Sequence, residues 1–399
     1  MSKSLIIAGL EIGTSRTVLC VGEQGEQGKV NILGTGTYPT TGVRKGQIVD
    51  LEQVQVCIDR AVHQLEENAN INVWQVLVAV SGGHIHSKVN PGVLSLGDAD
   101  ITPEDVQDVT ELANNVKIED GRVLLHTIRQ SFKVDDQPGI IRPVGMRCKV
   151  LQLDILAIDA LQNRLDNMMN AVHKCQLEVS DTVFGGICAA IATLTPQQKS
   201  NGVVMIDLGG GTTNYVAFRE NVIAAAGSIA LGGDHVTNDI ALAFKIAHNH
   251  AEEIKRREGS ALVDQESNGE RVNLPVEKGF APRSISRKSL HTVINARMDE
   301  LFRVLRDILE EQDVLPNLGG GVVLCGGGAY LKKVKELAQN VFSLPCTIAT
   351  LQNVTGVEDL EQPASYATAV GLVQYGLRNE AEKVGKKGLL EIVKGWFKK

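Results

Sequence analysis

The sequence predicts an α/β fold in which a duplicated unit closes around one cleft, on three observations. An apolar strand runs into a glycine cluster three times, near residues 9, 207 and 326. Strand-like and helix-like periodicities alternate between those points. Residues 84–158 break the alternation, with strands surrounding a single short helix, as an inserted subdomain would. Length and composition agree. The 399 residues exceed what one small core accommodates. With 43% hydrophobic residues, 22% charged residues and mean hydropathy near zero, the chain is not disordered. No apolar run reaches the length of a membrane-spanning helix, and the opening MSKSLIIAGLEIGTS reads as a strand, not a secretory signal. The seven cysteines form no CxxC pair, so they read as reduced, buried thiols without metal or redox duty. A formal charge of −7 argues against a nucleic-acid partner.

The elements follow in order. Leu5–Ile7 opens a strand that meets Gly9 to Ser15, and Val18–Val21 continues as a second. Val54, Ile58, Ala61, Val62 and Leu65 give 52–67 a helical stripe. Val76–Val80 is a short strand ended by Gly82 and Gly83. Within the insert, Thr102, Pro103 and Asp105 have the spacing of a capping box, which starts a helix there. Val150–Ile158 is a strand, and 159–174 a helix. Val203–Ile206 runs into Asp207-Leu-Gly-Gly-Gly-Thr-Thr. One long helical region is expected over about 236–257, with Asp234 as its cap, then loops and short strands over 259–286 and a strong helix over 287–311. Val322–Cys325 leads to Gly326, Gly327 and Gly328. A small-residue helix covers Ala364–Tyr375, and 378–388 reads as a flexible linker.

Glycine turns let backbone N–H groups approach a phosphate with no Cβ in the way. The 40 glycines, about a tenth of the chain, are concentrated in such clusters. Gly13, Thr14 and Ser15 form one turn, and Gly209, Gly210, Gly211, Thr212 and Thr213 another. Facing each other, the two would clamp a polyphosphate. Glu11 and Asp207 stand where each strand enters its turn, suited to a hydrated Mg²⁺. Neither turn carries the Gly-Lys-[Ser/Thr] of a Walker A loop.

With these stretches in view, the chain resembles the actin, Hsp70 and sugar-kinase superfamily, and within it the FtsA cell-division family. Gly42-Val-Arg-Lys-Gly-Gln-Ile-Val-Asp50, Ala79-Val-Ser-Gly-Gly-His84, Pro143-Val-Gly145, Gly232–Ile240 and Ser365–Gly371 carry the resemblance together with the two turns. It implies an actin-like (RNase H-like) fold with subdomain 1A over 1–83, 159–198 and 361–377. It further implies an SHS2-like subdomain 1C over 84–158, 2A over 199–230 and 299–360, and 2B over 231–298. ATP and Mg²⁺ are the implied cofactors. The two turns match the phosphate loops, Gly326–Gly328 the adenosine loop, and Glu252 with Lys255 the pair that flanks ribose and adenine.

Departures from the superfamily pattern bear on activity. Glu11 replaces the usual aspartate, and Asn214 stands where many relatives carry an acid. Phe184–Ala192 holds none of the Gln or Glu residues that position water in relatives. Hydrolysis needs such a group, so at most a weak ATPase is expected.

The last residues form a separate feature. At 100° per residue, Leu389, Leu390, Ile392, Val393, Trp396 and Phe397 share one arc of about 160°, while Glu391, Lys394, Lys398 and Lys399 lie opposite. Over 389–399 this reads as an amphipathic helix for the surface of anionic lipid. Residues 386–399 carry five lysines and one glutamate, hence +4, which leaves −11 on the rest. Arg283, Arg287, Lys288 and Arg297 suggest a basic patch in 2B. The resemblance implies that 2B receives the C-terminal tail of the tubulin-like FtsZ, that 1C receives other divisome proteins, and that the chain polymerises. It places the protein on the cytoplasmic face of the inner membrane at the division septum. Two alternatives remain open on the residues. One is a small-molecule kinase of the same superfamily, for which no catalytic aspartate stands out. The other is an actin-like pilus or secretion ATPase, which would leave the tail unexplained.

Overall fold

The computed structural model describes residues 5–264, 268–274 and 283–396, with those from 382 on as backbone only. Its first half comprises β1 (Ile6–Ile12), β2 (Arg16–Gln24), β3 (Val30–Pro39), a hairpin of β4 (Val43–Arg44) and β5 (Gln47–Ile48), α1 (Leu51–Ala69) and β6 (Gln75–Val80). The insert follows as β7 (His86–Asp100), α2 (Pro103–Asn114), β8 (Arg122–Val134), β9 (Gln137–Ile140) and β10 (Arg147–Leu161). Then come α3 (Gln162–Lys174), β11 (Glu178–Phe184), α4 (Gly185–Thr193) and α5 (Pro196–Asn201). The second half comprises β12 (Val203–Leu208), β13 (Thr213–Arg219), β14 (Val222–Ile229), α6 (Gly233–Phe244), α7 (His248–Glu258), β15 (Arg271–Asn273), β16 (Ser284–Ser286) and α8 (Arg287–Glu311). It closes with β17 (Val322–Cys325), α9 (Val334–Phe342), β18 (Cys346–Ile348), β19 (Val354–Thr355) and α10 (Ala367–Trp396).

The duplication is explicit in the sheets. One runs β11-β6-β1-β2-β3-β19 and the other β14-β13-β12-β17-β18. In each, a three-stranded antiparallel meander (β1–β3, β12–β14) continues through its first strand into two parallel strands. The inner strands β2, β6, β12 and β17 are buried on both faces, which explains their unbroken apolar runs. In β2, Leu19 and Val21 pack in the cluster that contains Ile58 of α1, while Val18 and Cys20 pack with Val370 of α10. In β12, Val203 and Met205 pack toward α4 and the first half, while Val204 and Ile206 pack with the α8 residues Leu301 and Phe302. The apolar helix α4 therefore fills the space between the halves.

The insert is a four-stranded sheet, β7-β10-β8-β9, with α2 on one face over Phe132, Leu151 and Leu153. Its capping box forms as the spacing predicts: Asp105 N–H donates to Thr102 Oγ1 at 3.2 Å and Thr102 N–H to Asp105 at 2.8 Å. The insert rests on the second half. Ser87 Oγ donates to the Ala226 carbonyl at 2.5 Å and Gln130 Nε2 to that of Ile223 at 3.0 Å.

Four local expectations are corrected. The helical region over 236–257 is two helices, because Lys245 turns into the left-handed conformation (φ 52°) and ends α6. Asp234 lies inside the first turn of α6, and Gly232 is the cap. The chain returns to the first half before 361: Gln352 N–H bonds the Ala192 carbonyl at 2.7 Å, and β19 pairs with β3. Residues 378–388 are helical, not a linker, because α10 continues through them to Trp396. Arg378, Glu380, Ala381, Glu382 and Lys383 all favour helix, and no proline interrupts them. The side chains of Leu389, Leu390, Ile392, Val393, Lys394 and Trp396, and all of Phe397 and Lys398, lie outside the described residues.

Candidate nucleotide-binding cleft

The meanders of the two halves bring equivalent turns face to face. Gly13 N–H bonds the Arg16 carbonyl at 3.1 Å, and Gly209 N–H bonds the Thr212 carbonyl at 3.0 Å. The same three-residue reach closes both turns, so Glu11 and Asp207 occupy matching places on matching strands. The turns approach too closely for larger residues. A Cβ on Gly210 would lie 3.0 Å from Ser15 Cβ, and one on Gly211 would run into Thr14 Oγ1.

Between them opens a cleft of about 220 Å³. Gly13, Thr14, Ser15, Gly209 and Gly210 line the end formed by the two turns, together with Glu11 and Asp207. Gly211, Thr212 and Thr213 stand behind the surface of the cleft, and Thr213 Oγ1 is spent on the Leu231 carbonyl at 2.8 Å. Gly326, Gly327 and Gly328 line the far end with Tyr330, Leu331, Met298 and Leu301. A Cβ on Gly327 would meet nothing within 4 Å, so that backbone faces open space. Glu252 and Lys255 form a 2.5 Å ion pair on the cleft wall. It is anchored rather than free: Thr237 Oγ1 donates to Glu252 at 2.5 Å and accepts from Lys255 at 2.7 Å. Burial alone would raise the Glu252 carboxyl. The charge and hydrogen bond of Lys255, with the Thr237 bond, outweigh it and hold the group below its usual range.

The two base carboxylates oppose one another. Burial, then the charge of Asp207, pushes Glu11 up to about 8, against the pull of Arg16. Burial also raises Asp207, although Asn214 Nδ2 donates to it at 3.1 Å and Thr368 Oγ1 at 3.4 Å. Glu11 Oε2 is buried with no hydrogen-bond partner. Two close acids and one orphaned oxygen at the base of a polar cleft fit a divalent cation. The donor set is short. No group of three or more His, Cys, Asp or Glu side chains is gathered for a metal among the described residues. Glu11 and Asp207 would thus hold Mg²⁺ largely through its waters.

Arg16 is a site residue that the sequence reading did not single out. It follows the first turn, donates to the Ser365 carbonyl, and stacks on Tyr366 with 4.3 Å to the ring centroid. Its place after the turn was visible, but its direction depends on Ser365, 349 residues away in the turn that precedes α10. Asp234 and Arg256 also reach the cleft unannounced. No water-positioning acid or amide comes from α4, whose residues are apolar or small and almost all buried.

The expected basic patch is largely paired internally. Arg297 forms a two-point contact with Asp239, at 2.6 and 3.2 Å, and meets Glu300 at 2.5 Å. Arg287 pairs with Glu258 at 3.0 Å and Glu270 at 2.8 Å. Arg283 Nη2 donates to the Phe244 carbonyl at 2.9 Å. Lys288 is exposed on the first turn of α8.

Comparison with known proteins agrees with this geometry. The family model "Cell division protein FtsA" matches residues 204–371, and "SHS2 domain inserted in FTSA" matches 82–158. The Escherichia coli (strain K12) cell division protein FtsA is 35% identical over 405 residues, covering 99% of this chain and 96% of that protein. The Pseudomonas aeruginosa protein of that name is 33% identical over 377 residues, covering 94% and 90%. Among solved structures, the type IV pilus PilM–PilN complex has a TM-score of 0.64 at 17% identity, covering 93% of this chain and 98% of that one. MreB5 of Spiroplasma citri bound to ADP has 0.57 at 15%, covering 96% and 98%. These two likenesses show an actin-like fold.

Proposed function

The chain belongs to the FtsA family of cell-division proteins, and from that footing we propose that it is an ATP-binding protein that polymerises on the cytoplasmic membrane and anchors FtsZ at the division site. The observation that carries the nucleotide half of this reading is the pair of matched turns with a carboxylate behind each. Backbone N–H groups of Thr14, Ser15 and Gly210 would hold the phosphates, those of Gly13 and Gly209 being spent on closing the turns. Glu11 and Asp207 would hold Mg²⁺ through water. Glu252, Lys255 and Gly326–Gly328 would flank the adenosine, as in the family. Bound MgATP supplies phosphoanhydride chemistry and charge, while Arg16 stands beside the carboxylates and offsets their repulsion. Calorimetric titration of MgATP tests this directly. Asp207→Asn should weaken magnesium-dependent binding by at least tenfold, and equal affinity would remove Asp207 from the site.

Turnover is expected to be slow. With α4 apolar and Asn214 occupied by Asp207 and Ser81, nothing from that side orients an attacking water. A steady-state rate in the range of ordinary kinases, roughly 1–100 per second, would overturn this.

The membrane and partner half rests on the family and on the tail. The apolar arc from Leu389 to Phe397 with its lysines suits anionic lipid at a peripheral membrane surface. No described helix is long and apolar enough to cross a membrane. The FtsZ tail is assigned to the face that begins α8. Arg287 and Arg297 already serve internal carboxylates there, so Lys288 supplies the accessible charge and apolar contact the remainder.

A further inference from the structure

A second, smaller cavity of about 30 Å³ lies behind the first phosphate turn, between the β4–β5 hairpin, the end of β6 and α3. That is about twice the space one buried water needs, enough for a group of a few heavy atoms and far too little for a nucleotide. Its polar lining is Gly46, Gln47, Ser81, His84, Arg164 and Asn167, with no carboxylate. His84 is 7% exposed, yet its Nδ1 has no hydrogen-bond partner. Arg164 Nε is also buried without one. Orphans of this kind each cost about 1–3 kcal/mol in the absence of a partner. The neighbouring Arg122 is neutralised by Asp159 and donates to the His84 carbonyl at 2.7 Å. No ion pair engages Arg164 among the described residues. Burial, then the charges of Arg164, Arg122 and His86, lowers His84 to about 4. Its ring is therefore neutral at physiological pH and can carry its proton on Nδ1.

Arg164 is half-buried, so solvent reaches part of its guanidinium, but Nε is sealed inside and no carboxylate lines the cavity. A water could satisfy the two orphaned nitrogens, whereas an anion would satisfy them and pair with the charge as well. We propose that this cavity is a binding site for a small oxyanion, with Arg164 supplying the charge and His84, Asn167 and Gln47 the remaining donors. The site is separate from the nucleotide cleft but shares walls with it. Gly46 N–H donates to Thr14 Oγ1 at 3.1 Å, and Ser81 Oγ accepts from Asn214, the residue that holds Asp207.

The test is a titration of the full-length chain, labelled with ¹⁵N at histidine, with inorganic phosphate against sodium chloride at matched ionic strength. Saturating MgADP is present to fill the cleft, and His84→Asn identifies the His84 resonance. The expected result is a saturable shift of that resonance, with affinity at least tenfold weaker in Arg164→Gln and partly retained in Arg164→Lys. If Arg164→Gln does not fold, Asn167→Ala should weaken the response several-fold. Sulfate and acetate titrated in parallel show whether the site prefers a tetrahedral or a planar anion, and saturation by either with the same Arg164 dependence supports the class. No saturable shift at His84, or one unchanged by the Arg164 and Asn167 substitutions, overturns the site. So does a phosphate response that appears only in a parallel titration without MgADP, which would place the anion in the cleft.

Discussion

Glu11 shows at residue scale how burial and a neighbouring acid displace a carboxyl from its usual range. Its carboxyl, ordinarily near 4.5, is pushed up to about 8 by burial and by Asp207. An acid whose pKa is raised in the folded state stabilises that state below its unfolded value, and the contribution is lost as pH rises through the folded value. The nucleotide-free protein should therefore lose stability between about pH 4.5 and 8, by up to about 1.4 kcal/mol per pH unit from this group alone. Glu11→Gln removes the titrating proton and keeps the shape. Denaturant unfolding at pH 6 and pH 8.5 should show a smaller difference between the two pH values in the variant than in the parent, and greater stability of the variant at pH 8.5. An unchanged pH dependence would mean that the Glu11 carboxyl is ionised throughout. Sequence alone places Glu11 at the mouth of a turn. It does not show the environment that shifts the group, because Asp207 is 196 residues away and reaches it only through the pairing of two domains.

Individual elements were legible in the sequence where their signals are local. The α8 helix begins and ends at the expected residues because Ser286 caps it and its apolar stripe is long. The three strands that enter glycine clusters were visible because strand and turn are adjacent in the chain. The break between α6 and α7 was hidden, since Lys245 gives no turn signal of its own, and the stripe continues across it. The neutralisation of Arg297 was hidden for a different reason: Asp239 lies 58 residues away on α6. The small residues of α10 had a helical spacing, but their purpose appears only in the packing. Gly371 sits against α4 so closely that a Cβ there would run into the Cys188 carbonyl. That contact joins the helix bearing the tail to the helix that separates the two sheets. Gly371→Ala gains helix propensity of about 1 kcal/mol, yet the clash is with backbone and α10 must shift. The expected net result is destabilisation of about 1–3 kcal/mol, as for other overpacked sites, read as a lower melting temperature. A melting temperature at or above that of the parent would show that α10 can slide on α4 without cost.

At the scale of the whole molecule, the proposed function would divide the labour, with assembly in the negative body and attachment in the positive tail. The duplicated sheets explain why two equivalent turns face each other across one cleft. Neither sheet predicts the tail, which is a separate amphipathic unit at the end of α10. Its six apolar side chains would each contribute about 1.5–3 kcal/mol gross when buried in lipid. Ordering costs and the small size of the unit remove much of that, so one tail should attach weakly. A polymer presents many tails to one surface, and each further attachment is then effectively intramolecular. Residues 387–399 fused to a monomeric carrier should therefore bind anionic vesicles at least about tenfold more weakly than the full chain does with MgATP, the low end of what multivalency gives. Binding of the full chain should rise steeply with protein concentration, and binding of the fusion should follow a simple hyperbola. A version ending at Arg378 should stay in the supernatant when vesicles are sedimented. If the fusion matches the full chain, the single tail is sufficient and assembly adds nothing to attachment. If the version ending at Arg378 sediments undiminished, the anchor lies elsewhere in the body.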